Sequence, residues 1–448
     1  MHNGMGWVSG RKRLLLGLLI SMVAVLAFAC SDDDPTPTPT AEPTAEPTAE
    51  PTAAATEEPT AAPTEAPAAG EQLKIAFLAD FSGPLAEFGP VIQTGVELAI
   101  AQINAAGGVN GQDVVMVVGD TGLDETKALE EARRLVEVEG VHAIVGPLAS
   151  GITAAVTTAV TADAQIPTIS PSATSPAITA VDDNGFLFRS TISDAAQGVI
   201  LADLAADEGI ESVGVLFENS AYGQGLADVF ETNYGGTVTS SSFENGQATY
   251  LAELQSVSGG DYLVAIGYPT EAQVFVREAL ENGIYDKFLF VDGTKSQDLI
   301  DSIGGEFLNG FKGTAPSAGP GSDALGAWEA AYTAANGELP SLPFVREAYD
   351  ATIAIGLAAA KSGSLDGLAL RDALVEVASP AGDVVIPSDD SIAAGLATVA
   401  GGGDVNYEGA ATTLDWNGAG DVTTGFVGIW TFEDGEIVEI ESIAFDLG

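Results

Sequence analysis

Residues 73–118 read LKIAFLADFSGPLAEFGPVIQTGVELAIAQINAAGGVNGQDVVMVV. The stretch opens on Leu73-Lys74-Ile75-Ala76-Phe77-Leu78, an apolar run of strand length. Residues 89–105 follow with helical spacing, placing Val91, Val96, Leu98, Ala99 and Ile103 mostly on one stripe. Gly107-Gly108-Val109-Asn110-Gly111 has turn chemistry, and residues 114–118 form a second apolar run. Strand, helix, turn and strand in this order predict a parallel sheet covered by helices.

The same alternation continues outward. Helices are predicted over 125–138 and 151–164, with strands over 142–145 and 167–170. A second series has helices over 195–208, 222–234, 248–257 and 271–282, and strands over 212–217, 237–241, 262–266 and 288–291. Beyond Gly319 the pattern turns helical, over 323–336, 344–361 and 368–377. It closes with β-runs over 412–415, 425–432 and 437–443, the last two joined by the hairpin pair Asp434-Gly435. Two open α/β sheets imply two lobes, because one core stops growing at roughly 250–300 residues. A cleft between them, at the carboxyl ends of the strands, is the default binding site.

Composition narrows the chemistry. The chain carries 64 acids against 15 bases, a net charge of −49. Such a surface repels nucleic acid and anionic headgroups and suits solubility in a salty setting. Cys30 is the only cysteine, and His2 and His142 are the only histidines. These counts oppose a disulfide within the chain, a multi-histidine zinc site and a Ser-His-Asp triad, so neither cofactor, metal nor catalysis is expected. His142 sits in an apolar run and reads as a core histidine. Tyr222-Gly223-Gln224-Gly225 lacks the third glycine of a dinucleotide fingerprint, and no phosphate-cradling Gly-x-x-x-x-Gly-Lys motif occurs. Residues 415–421 lack the spacing and terminal Glu of a calcium loop and read as a hairpin turn.

Arg11, Lys12 and Arg13 precede an apolar run over 14–29 that ends Ala27-Phe28-Ala29-Cys30. A basic start, an apolar middle and small residues before the break mark an export signal over 1–29. The run is shorter than the ~20 residues of a spanning helix. A cysteine at the break resembles a bacterial lipobox, with Ala27 where a Leu is usual. The resemblance implies lipidation of Cys30 and anchoring at the outer face of the cytoplasmic membrane; a plain signal peptide or a membrane anchor is the alternative. Residues 31–70 repeat Ala-Glu-Pro-Thr without an aromatic residue and read as a disordered stalk.

Six segments in register carry a wider resemblance: Phe81-Ser82-Gly83-Pro84; residues 103–111; Gly146-Pro147-Leu148-Ala149-Ser150; residues 169–176; Ala221-Tyr222-Gly223-Gln224-Gly225; and Tyr407-Glu408-Gly409-Ala410 with Leu414-Asp415. Together they resemble the leucine/isoleucine/valine-binding family of ABC-transporter receptors, with the type I periplasmic-binding fold. The resemblance implies a non-enzymatic Venus flytrap that clamps a small ligand and delivers it to permease subunits. It places crossovers near 189–193, 314–318 and 410–414, with lobe one over 71–192 and 317–409 and lobe two over 193–316 and 410–448. The helical region expected over 378–403, longer and more Gly/Ala-rich than in the branched-chain binders, leaves the third crossover open. The disulfide of some members cannot form, because the matching positions are Gly122 and Ala149.

Site residues follow from the same resemblance. Ser150 opens a helix after a strand, where free N–H groups suit a ligand carboxylate; it is also an ordinary capping residue. Ser172 and Thr174 lie on the loop after the fourth strand and match residues that touch the ligand's carboxylate and ammonium; turn chemistry alone would also place them there. Asp292 matches a carboxylate facing the ammonium, though Asp-Gly is equally a turn pair. Tyr222 and Tyr268 match the aromatic wall of the second lobe, and Phe88 an aromatic position of the first; Phe344 is a weaker match. A branched-chain amino acid is the first expectation, with amides, urea and aromatic acids as alternatives, and a sensor delivering to a receptor as the rival role.

Overall fold

The computed structural model describes residues 70–448, so Cys30, the export signal and the Pro/Thr/Glu tract lie outside the described residues. The first sheet has five strands in the order β2-β1-β3-β4-β5. They are β1 (Lys74–Ala79), β2 (Val115–Asp120), β3 (Ala143–Val145), β4 (Thr168–Ser170) and β5 (Leu187–Arg189), all parallel. The second sheet contains β6 (Ser212–Glu218), β7 (Thr237–Phe243), β8 (Tyr262–Ile266), β9 (Phe288–Phe290) and β10 (Lys312–Ser317), again parallel. A small parallel pair joins β11 (Asp383–Val385) to β12 (Val405–Tyr407). The second sheet is completed by β13 (Thr424–Glu433), antiparallel to β10, and β14 (Glu436–Asp446), antiparallel to β13.

Parallel strands buried on both faces need continuous apolar runs. β1 and β6 have them: Ile75 to Ala79 are fully buried, and Val215 and Leu216 are as well. Helix Phe88–Ala105 packs Ile92, Val96, Ala99 and Ile103 inward and lies against helix Val345–Ser362, whose small residues permit close approach. The chain leaves the first sheet after β5. It returns after β10 to build the helices Asp323–Asn336 and Val345–Ser362, and crosses again between β12 and β13. This is the two-lobed type I periplasmic-binding architecture.

Four local expectations change. No strand forms over 412–415; Leu414 takes a positive φ of 55° there, and only Trp416 makes an isolated bridge, to Val422. The helix expected over 125–138 is α-helical only over Glu125–Arg133 and continues as a π turn, Arg134–Glu139. The helix expected over 248–257 shrinks to Leu251–Ser256. The region over 378–403 splits into β11 and helix Asp389–Ala400. The Asp434-Gly435 hairpin forms as expected, with φ of 53° and 87° at its two turn residues. His142 is satisfied, its Nδ1 accepting from the Lys74 N–H at 3.1 Å.

Candidate functional site

The carboxyl ends of the parallel strands of both sheets converge on one cleft. From the first sheet, β1 leads to Phe88, β3 leads to Ser150, and the loop after β4 carries Ser172 and Thr174. From the second, β6 leads to Tyr222, β8 to Tyr268 and β9 to Asp292. Phe88, Ser172, Tyr222, Tyr268 and Asp292 line one cavity of about 20 Å³, together with Leu85, Ile92, Leu148, Gly293 and Phe344. Such a volume suits one water, so a larger ligand enters only if the walls separate.

Polar groups are fixed with few degrees of freedom. Tyr222 and Tyr268 stack with ring centroids 5.4 Å apart. The Tyr222 hydroxyl donates to Asp292 Oδ1 at 2.8 Å, and Gln197 Nε2 donates to the same oxygen at 2.7 Å. The Gly293 N–H donates to the Tyr222 hydroxyl oxygen at 3.2 Å. A side chain at position 293 would strike the Gly267 carbonyl and the Tyr222 hydroxyl, so glycine is required by packing. Burial pushes the Asp292 carboxyl up to about 6, although the bonds from Tyr222 and Gln197 pull it down.

Ser150 and Thr174 are buried and are not among the residues that line the cavity. Ser150 Oγ accepts from the Ser175 N–H at 3.2 Å, stitching the loop after β3 to the loop after β4. Ser172 Oγ donates to the Leu148 carbonyl at 2.9 Å and adds a second stitch. Thr174 Oγ1 is buried and has no hydrogen-bond partner among the described residues. The Thr174 carbonyl accepts from the Asp194 N–H at 2.8 Å.

Two residues that sequence reasoning missed organise this cluster. Asp194 is fully buried, and neither carboxylate oxygen has a hydrogen-bond partner among the described residues. Burial, then the charge of Asp292, raise its carboxyl well above the usual range. It opens helix Asp194–Asp207 after the Ser193 cap, and an acid in a first helical turn carries no signal of burial. Arg189 is 1 % exposed, and its Nη1 donates to the carbonyls of Ala173, Thr174 and Ser175. Its Nε donates to Asp421 Oδ1 at 2.7 Å. Arg189 therefore sets the shape of the loop carrying Thr174. Its signal was weak, because Asp421 sits in the segment read as a hairpin turn.

The cavity offers apolar and aromatic walls, the Asp292 carboxyl and the hydroxyls of Ser172, Tyr222 and Tyr268, and its lining among the described residues contains no lysine or arginine. A family described as "periplasmic binding protein" matches residues 72–403. The chain is 28% identical over 384 residues to the chemotactic signal transduction system substrate-binding protein BasB of Halobacterium salinarum, covering 80% of this chain and 87% of that one. It is 30% identical over 315 residues to the leucine-, isoleucine-, valine-, threonine- and alanine-binding protein of Pseudomonas aeruginosa, covering 68% and 83%. Among solved structures, LivJ, the branched-chain amino acid transporter substrate-binding protein of Streptococcus pneumoniae in complex with isoleucine, superposes with a TM-score of 0.69 at 25% identity. That match covers 84% of this chain and all (100%) of the other.

Proposed function

Because this chain belongs to the periplasmic binding protein family, a class that binds solutes outside the cytoplasm without transforming them, we propose that it captures an α-amino acid, branched-chain first, for an ABC importer. The observation that carries this reading is the buried Asp292 carboxyl in a cavity lined by Leu85, Phe88, Ile92, Leu148 and Phe344, with a second buried acid, Asp194, near enough to feel its charge. Once ionised, the two buried carboxyls repel each other, and the Arg189 charge that offsets this at Asp194 is not part of the cavity lining, so the lining itself still calls for a cation. An ammonium satisfies that need, and the aliphatic and aromatic walls take a branched side chain. The ligand carboxylate would lie toward Ser150, Ser172 and Thr174. An aromatic acid without an ammonium brings a further negative charge to the two acids, and urea leaves the apolar walls uncovered. Relatives named for branched-chain ligands support the same choice.

Capture follows from hinge closure of lobe one (71–192, 317–409) on lobe two (193–316, 410–448), and the closed form docks on the permease. Cys30, lipidated, with the tract after it as tether, would keep the binder at the outer face of the cytoplasmic membrane, where its effective concentration near the permease is high. Calorimetry against amino acids, urea and benzoate tests the ligand class: L-leucine or L-isoleucine binds, and a chain that takes benzoate but no amino acid refutes the reading. Cys30→Ser is expected to move the protein from the detergent phase to the aqueous phase in a phase-partition assay; unchanged partition removes the anchor. The BasB relative supports a second role, ligand delivery to a chemotaxis receptor. Co-purification with a receptor instead of a permease would favour it.

A further inference from the structure

Glu87 sits beside the ligand cavity, one residue before Phe88, yet its carboxylate faces away from the cavity, across to the second lobe. Oε2 accepts from Ser296 Oγ at 2.5 Å, and Oε1 accepts from the backbone N–H groups of Gln297 at 3.1 Å and Asp298 at 3.4 Å. Ser296 is fully buried, and its Oγ also accepts from the Leu299 N–H at 3.1 Å. That hydroxyl is therefore used twice, once within its own helix and once across the cleft. Beside it, Thr270 Oγ1 donates to the Pro84 carbonyl at 3.3 Å, so the segment 84–87 meets the second lobe at two places.

We propose that Glu87 is a positioning residue that latches the closed form through Ser296, Gln297 and Asp298. The inference rests on the capture-by-closure reading and not on which ligand is captured. Its force lies in what stands next to the latch on each side. Glu87 adjoins Phe88, which lines the cavity, and Ser296–Asp298 follow Asp292 and Gly293, which line it from the other side. Ligand contact and latch thus share two short, continuous segments. Parting the lobes hands the Glu87 carboxylate, the Ser296 hydroxyl and the two N–H groups back to water. Separating the lobes breaks these bonds, so they favour the closed side of the open–closed equilibrium and leave the encounter step untouched. Most affinity differences of this kind appear in the dissociation rate.

The test uses the full-length protein, with L-leucine as probe. Glu87→Ala is expected to dissociate L-leucine about tenfold faster, the size expected for losing a few charge-assisted bonds at a partly solvated site. Its association rate should stay within about twofold, and the unfolding temperature of the ligand-free protein should fall by no more than about 2 °C, because the latch joins the lobes and lies outside either core. Glu87→Gln, which keeps an acceptor and loses the charge, should fall between. An unchanged dissociation rate, or a fall in ligand-free unfolding temperature that accounts for the loss, overturns the latch. If the wild type does not bind L-leucine, the amino-acid reading fails by itself. Small-angle scattering of the ligand-free proteins then decides the latch: a larger radius of gyration for Glu87→Ala supports it, and equal radii overturn it.

Discussion

Asp292 receives two hydrogen bonds on one oxygen, from Tyr222 and Gln197, and this fixes its carboxylate toward the cavity. Asp292→Asn keeps an acceptor for both donors and removes the charge. If the carboxylate faces a ligand ammonium, affinity for L-leucine should fall about 100-fold, the scale of a buried charge-assisted contact, while the unfolding temperature holds or rises. Equal affinity by calorimetry would remove Asp292 from the site. Arg189 behaves differently, because its guanidinium supports three loop carbonyls and pairs with Asp421. Arg189→Met should cost about 3–5 kcal/mol in urea unfolding, since Asp421 is left as an uncompensated buried charge. Ser172 and Tyr222 were legible as candidates because each follows a strand inside a motif segment, whereas Phe88, Tyr268 and Asp292 were candidates only as matches to family positions. Asp194 and the Arg189–Asp421 pair were not. Asp421 lies 232 positions from Arg189, and nothing local marks either residue as buried.

At the level of elements, strands that bury both faces announced themselves and strands held by their neighbours did not. β10 reads Lys-Gly-Thr-Ala-Pro-Ser, poor strand material by composition. Its place comes from β13, which pairs along its whole length, and from β9, which pairs only with Lys312 and Gly313. Pro316 lies beyond the doubly paired part, where a missing N–H is tolerated. The segment after β12, where the Gly/Ala-rich sequence left the third crossover open, is held by Asp350 on helix Val345–Ser362. Its Oδ1 accepts from the Tyr407 hydroxyl and the Ala410 N–H, and its Oδ2 from the Ala411 N–H, each at 2.8 Å. Asp350→Ala orphans these three buried donors and opens a small void. A loss of about 3 kcal/mol or more in urea unfolding is expected, by analogy with other broken buried networks. A loss below about 1 kcal/mol would mean that water replaces the carboxylate without penalty.

Across the whole molecule, the buried acids make stability a function of pH and salt. Burial pushes Asp80 and Asp292 up to about 6, and Glu218 and Asp350 up to about 7. Burial also raises Glu87, Asp194, Glu271 and Glu347. In the unfolded chain such groups titrate near pH 4. The folded state therefore binds more protons than the unfolded state between about pH 4 and pH 7. A group whose folded pKa is raised contributes stability that is complete below its unfolded pKa and is lost as pH rises through its folded pKa. The unfolding temperature should accordingly fall as pH is raised from 5 to 8. The net charge of −49 acts in the same direction, because deprotonation adds to self-repulsion. Salt opposes the second effect and barely touches the first: screening shortens from ~10 Å at 0.1 M to ~3 Å at 1 M, while buried groups are screened much less. Raising NaCl from 0.1 M to 1 M at pH 8 should therefore recover part of the lost stability, and the recovery should be smaller at pH 5. Scanning calorimetry over that grid separates the two contributions. A stability that rises with pH would show that these carboxyls are held ionised in the fold. A pH loss erased completely by salt would assign it to the surface and not to the acids of the cleft and core.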